Sequence, residues 1–296
     1  MSTYNHPVRA AVWMLGAMIS FTVMAIAGRA LAGHLDTFEI MLYRSLLGIV
    51  IVLGGAHLAG TWQEINTRRM PLQIVRNLCH FAGQNLWLYA VALIPLSQLF
   101  AFEFTTPLWV AAFAPLILGE KWTATRLMTC LIGFLGILVV ARPDVSELNL
   151  ATLAAALCAV GFAGATLGTK RLSTTQSVTC ILFWLVALQA IFGLVIAGFD
   201  GHITPLNSYT FPWAMLVGIC GLAAHFCITN ALKIAPATVV MPLEFLRLPL
   251  IAVVGYLLYN EELLLSVFVG AGFILAANII NIRTETRNTA EQTPAG

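Results

Sequence analysis

Apolar residues fall in long runs, near 8–30, 37–57, 71–91, 96–118, 123–141, 149–170, 178–198, 211–232, 238–259 and 262–282, separated by short polar segments. Each run approaches the roughly 20 residues that an α-helix needs to cross a hydrocarbon core. None resembles the segments of about ten residues with a period of two that build a membrane barrel. The pattern predicts an all-α integral membrane protein with ten transmembrane helices and no soluble domain, since the longest loops have only about 15 residues. Against this pattern Glu103 is an anomaly, being the only charged residue between positions 96 and 118, inside the stretch FAFEFTTP.

Composition agrees with the pattern: 59% hydrophobic and 9% charged residues leave too little polar surface to cover a water-soluble globule. The first run is not a cleaved signal, although Ala30-Leu31-Ala32 looks like a cleavage triplet. It is longer than a signal core of about 7 to 15 residues, and Arg29 precedes the triplet. The six cysteines, Cys79, Cys130, Cys158, Cys180, Cys220 and Cys227, lie inside the runs without CxxC spacing, so they read as packing residues and neither a metal nor a cofactor is expected. The net charge of +2 sets topology and does not imply a nucleic-acid partner. With a cytoplasmic N-terminus, the inner ends carry Arg9, Arg68, Arg69, Arg76, Lys121, Arg126, Lys170, Arg171, Lys233, Arg283 and Arg287, against only Arg29 and Arg142 outside. Both termini are therefore expected on the cytoplasmic side of the inner membrane.

The chain repeats itself. A shift of 141 residues without a gap places Ala90 on Ala231, Pro95 on Pro236, Glu103 on Glu244, Ala111 on Ala252, Leu116 on Leu257 and Glu120 on Glu261. Each half holds five runs, an odd number, so the second copy must cross the membrane in the opposite sense to the first. Inverted repeats of this kind build carriers whose site lies near the midplane. The expected units are 8–143 and 149–283, followed by a cytoplasmic tail, 284–296.

The paired segments IPLSQLFAFEFTTPLWVAAFAPLILGEKW and APATVVMPLEFLRLPLIAVVGYLLYNEEL resemble the tandem EamA-type repeats of the drug/metabolite transporter superfamily. That pattern has a proline before the fourth helix, another within it and a closing Gly-Glu pair. Pro95, Pro107 and Gly119-Glu120 match in the first copy; in the second, Pro236 and Glu261 match, the internal proline moves to Pro249, and Asn260 replaces the glycine. The resemblance implies a ten-helix, pseudo-symmetric carrier of small organic solutes with a central cavity, and does not name the solute.

Ionisable residues inside a span cost about 2.5–3.5 kcal/mol on insertion scales, so they face a cavity or a partner. Arg44, Glu103, Glu244 and Arg247 are the candidates. Glu103 and Glu244 fall at mirrored depths, Arg44 matches Glu103 in depth, and Arg247 follows Glu244 at i+3. One reading is structural: ion pairs Arg44 with Glu103 and Glu244 with Arg247. The other is functional: the glutamates bind solute or a coupling proton, which nearby arginines oppose by favouring the charged carboxylate.

The third run adds a polar stripe, Arg76, His80, Gln84 and Trp87, at i, i+4, i+8 and i+11. Arg76 is near enough to the inner end to snorkel. The shift places His225 on Gln84. Histidines there either titrate near neutral pH or join helices by hydrogen bonds. Gly161, Gly164 and Gly168 have the spacing that lets helices approach closely. Prolines concentrate in and beside the fourth and ninth runs, which are the elements expected to be kinked or unwound.

No HExxH, nucleophile turn or GxxxxGK loop occurs, so neither an enzyme nor an ATP-driven pump is indicated. The expected function is secondary transport of a small metabolite by alternating access, with export of an amino acid or amphipathic metabolite ahead of uptake of a vitamin, nucleoside or adenosyl compound. The expected substrate or coupling residues are Glu103, Glu244, Arg247, Arg44, His80, Gln84, Trp87 and His225. The partners are the solute and the lipid bilayer, the protein being a monomer or loose homodimer.

Overall fold

The computed structural model describes residues 6–94, 96–120, 123–141, 149–199 and 201–259, and parts of 265–284. The elements are α1 (Pro7–Leu31), α2 (Thr37–Leu58), α3 (Met70–Leu93), α4 (Leu96–Glu103), α5 (Thr106–Leu118), α6 (Ala124–Ala141), α7 (Leu150–Ser173), α8 (Val178–Ala197), α9 (Thr210–Ile234), α10 (Ala237–Val240), a 3₁₀ segment Met241–Leu246, and α11 (Arg247–Tyr259). Among the described residues, helices coincide with the apolar runs from 8–30 to 238–259 and no strand is present. The tenth run is described only in part, and Pro95, Lys121, Arg142, Asn260, Glu261 and the tail from 285 onward lie outside the described residues.

By length and composition, α1, α2, α7, α8, α9 and the stretch 237–258 can each cross a membrane. Local chemistry sets their ends. Asp36, Asn149 and Ser177 precede α2, α7 and α8 and accept hydrogen bonds from first-turn amides that have no acceptor within the helix.

Two runs expected as single spans are interrupted. The fourth splits into α4 and α5 at Phe104-Thr105, and Pro107, which lacks an N–H, enters the first turn of α5, where none is needed. The orphaned end of α4 is satisfied by threonines: Thr105 Oγ1 donates to Phe102 O at 2.8 Å and Thr106 Oγ1 to Glu103 O at 2.6 Å. The ninth becomes α10, a 3₁₀ turn holding Pro242, and α11.

The closing Gly-Glu pair also has a physical role. Gly119 ends α5 with a left-handed backbone, φ 69°, a conformation that costs glycine little. The turn lets Glu120 reach α10, where its carboxylate accepts from the amides of Ala237 at 2.9 Å and Thr238 at 3.2 Å and from Thr238 Oγ1 at 2.7 Å.

Helix α1 lies along α9, α3 lies along α7, and α2 packs on α8 and α9. The 141-residue shift exchanges the first two pairs and returns α2 with α8 to itself. Glycines make these contacts close. A Cβ on Gly161 of α7 would stand 2.8 Å from Cys79 O and 2.9 Å from Gly83 Cα of α3, both backbone atoms that cannot rotate away. Gly161→Val is therefore expected to lower stability by about 1–3 kcal/mol through overpacking. Thermal unfolding in detergent measures it, and an unchanged midpoint would refute the close α3–α7 seam.

Candidate functional site

A narrow cavity of about 60 Å³ lies between α1, α3, α7, α9 and the interrupted fourth and ninth runs. At about 10–15 Å³ per water it holds a handful of waters.

Seven of the eight expected site residues line it: His80, Gln84 and Trp87 from α3, Glu103 from the end of α4, His225 from α9, Glu244 from the 3₁₀ turn and Arg247 from the start of α11. Both glutamates therefore stand at the interruption of their run. The eighth, Arg44, is buried away from the wall, its guanidinium against Gly221 of α9.

The expected ion pairs are replaced by a different one. Glu103 pairs with Arg247 through its Oε1, and its Oε2 accepts the Trp87 indole N–H at 2.5 Å. Arg44 matches Glu103 in depth, but α2 packs on α8 and α9, which turns Arg44 toward α9. Arg247 is i+3 from Glu244 and shares its face, but its guanidinium closes on Glu103 of the other half of the chain. The partners suit each other electrostatically. Glu103 closes α4 at its negative end and Arg247 opens α11 at its positive end, so each offsets an unfavourable helix dipole. Phe21, Phe100 and Phe104 surround the Arg247 guanidinium, each ring centroid 5.1 Å from its carbon, which adds cation–π attraction.

Glu244 differs from its counterpart. It lines the cavity, and among the described residues its carboxylate has no hydrogen bond and no ion pair.

The two histidines meet: His80 Nε2 and His225 Nε2 are 2.9 Å apart, one donating and the other accepting, and they join α3 to α9 across the cavity. Arg76 does not snorkel. It is 1% exposed, packs over Gly168, and donates from Nε to Thr169 Oγ1 at 2.9 Å and from a terminal nitrogen to Asn77 Oδ1 at 3.1 Å.

Sequence reasoning missed the α7 wall, where Phe162, Thr166 and Thr169 line the cavity. Their i, i+4, i+7 spacing is a single helical face and could have been read beside the glycine stripe. It also missed Phe21 and Met24 of α1, whose apolar side chains give no signal in an apolar run.

The sequence matches the EamA-like transporter family twice, over residues 8–142 and 149–283. The chain belongs to the EamA-like transporter family. This EamA-like transporter is accordingly a multi-pass membrane protein that moves a small molecule. It is similar to the riboflavin transporter of Vibrio cholerae, 27% identical with 99% of both chains covered. It is also similar to the S-adenosylmethionine uptake transporter of Rickettsia prowazekii, 25% identical over 95% of this chain and 94% of that one. The pseudopaline exporter of Pseudomonas aeruginosa is 24% identical over 91% of this chain and 94% of that one. A solved crystal structure covers 94% of the EamA-like chain and 98% of its own with a TM-score of 0.75 at 16% identity, a likeness of fold.

Proposed function

We propose that this chain is a secondary carrier of the cytoplasmic membrane, ten helices arranged as inverted five-helix repeats, 8–143 and 149–283, with both termini inside. It moves an amphipathic metabolite, one with a charged head and a planar or apolar body, by alternating access. The observation that carries this reading is a cavity walled by residues of both repeats, with charged groups and aromatic rings at the two interrupted helices. Interrupted helices at the midplane are where carriers of inverted-repeat type bind their solutes. The exchange of the α1–α9 and α3–α7 contacts under the 141-residue shift supports the repeat symmetry.

Export of an amino acid or similar metabolite remains the first reading of direction. Uptake of a vitamin or adenosyl compound is the second, favoured by the names of the Vibrio and Rickettsia relatives. Proton coupling, on this reading, rests on Glu244 and not on the ion-paired Glu103.

The test is counterflow in proteoliposomes loaded with riboflavin, S-adenosylmethionine or a mixture of amino acids. Saturable exchange of at least one is expected. A leak that does not saturate, or none across the whole panel, would refute a carrier.

A further inference from the structure

Among the described residues, Arg44 and Arg76 inside the helical bundle have no acid paired with them. Arginine stays protonated in proteins, and a buried charge stripped of its partner is strongly unfavourable. Arg76 uses two nitrogens on neutral acceptors, Thr169 and Asn77. Asn77 is itself held, its Nδ2 donating to Gln73 O at 2.8 Å and its carbonyl accepting from Gln189 Nε2 at 2.9 Å, which aims its amide oxygen at Arg76. Arg44 is 6% exposed, and among the described residues its side chain makes no hydrogen bond and no ion pair, with one terminal nitrogen fully enclosed. Its guanidinium carbon lies 3.5 Å from the position a Cβ on Gly221 would take, one turn of α9 before His225. Arg76 stands one turn of α3 before His80 and Arg44 lies one turn of α9 before His225, so the two guanidinium groups flank the histidine pair.

Arg44, Arg76, His80 and His225 thus form a basic cluster drawn from α2, α3 and α9, and all but Arg44 line the cavity. The carboxylates of the site stand elsewhere. Glu103 is committed to Arg247 and Trp87, and Glu244 lies one turn from Arg247. Two fixed positive charges without an acid call for an anion, and the planar guanidinium fork matches the oxygens of a carboxylate or phosphate.

We infer that Arg76, with His80 and His225 beside it and Arg44 behind the wall as a second fixed positive charge, forms the oxyanion pocket of the cavity: it holds the carboxylate or phosphate carried by the transported solute, while Glu244 faces a cationic group of the same molecule. The inference rests on the carrier reading and narrows it to solutes with an acidic head. Phe21, Trp87 and Phe162 then provide the surface for the planar or apolar body.

Matched pairs that differ only in the acid group test it on the purified full chain in detergent. One pair is S-adenosylmethionine and its decarboxylated analogue; the other is flavin mononucleotide and riboflavin. Sodium acetate and sodium phosphate at equal ionic strength are the free-anion arm. Ligands that bind the folded state raise the melting temperature. For at least one pair, the acid-bearing member is expected to bind at least about tenfold more tightly, the factor carried by hydrogen bonds to a charged group. Arg76→Gln should erase that preference, Arg44→Gln should reduce it, and Arg76→Lys should keep part of it.

The wild-type comparison needs no variant to fold. Equal binding within both pairs, a preference that survives Arg76→Gln, stabilisation by inorganic anions alone, or no stabilisation by any compound overturns the inference. Saturable counterflow of a solute without an acid group would leave the carrier standing while this inference fails.

Discussion

Replacing Arg247 by alanine is expected to destabilise the protein by about 3–5 kcal/mol, the usual cost of leaving one member of a buried ion pair alone. Arg247 is 2% exposed and is the only cation paired with Glu103 among the described residues. Its removal leaves a carboxylate held by one indole N–H at the wrong end of a helix, and leaves three phenylalanines facing an empty volume. Arg247→Lys keeps the charge but loses the planar guanidinium that lies among the rings, so it should fall between alanine and wild type. The double variant Glu103→Gln with Arg247→Leu should recover more than half of the loss, because neither charge then remains unpaired. Denaturant unfolding in detergent micelles measures all three. A double variant no more stable than Arg247→Ala would mean that the pair is not what holds these helices together.

Glu244→Gln is expected to behave in the opposite way. The carboxylate has no hydrogen bond or ion pair among the described residues, so its replacement by an isosteric amide breaks no contact, and the melting temperature should stay within about 2 °C of wild type. Transport should nevertheless fall by at least about tenfold, because removing one charged contact to a solute costs about 1.5–3 kcal/mol. Initial rates in proteoliposomes at saturating and limiting solute separate a binding defect from a slower cycle. If an imposed pH gradient drives wild type but not Glu244→Gln, the coupling proton belongs to this carboxylate. Full gradient-driven accumulation by the variant would remove Glu244 from both roles.

These opposite expectations come from two residues that the sequence presents as equivalents. The 141-residue shift, the depth of each glutamate and the prolines beside them are all readable along the chain, and the helix interruptions fall at both. The partner is not readable. Glu103 and Arg247 are 144 positions apart, and no spacing rule links them. Helical periodicity placed Arg247 on the face of Glu244, which a 3₁₀ turn also does, but a shared face does not fix the partner, and the guanidinium pairs with Glu103. Depth assigned Arg44 to Glu103 and fails because depth says nothing of the direction a helix faces; α2 turns Arg44 toward α9. Arg76 was legible as part of a polar stripe but not as fully enclosed, since enclosure depends on Gly168 of α7 letting the two helices close over it. The glycine stripe itself was legible, because close approach needs only the absence of side chains at regular intervals.

The Glu120 contact bears on how such a molecule moves. Its carboxylate, just beyond α5, takes the amides of Ala237 and Thr238 and the Thr238 hydroxyl at the start of α10. Parting these elements would strand two amides and a carboxylate at once, so the end of α5 and the start of α10 travel as one lever. An opening of the cavity on this side has to form along a different seam.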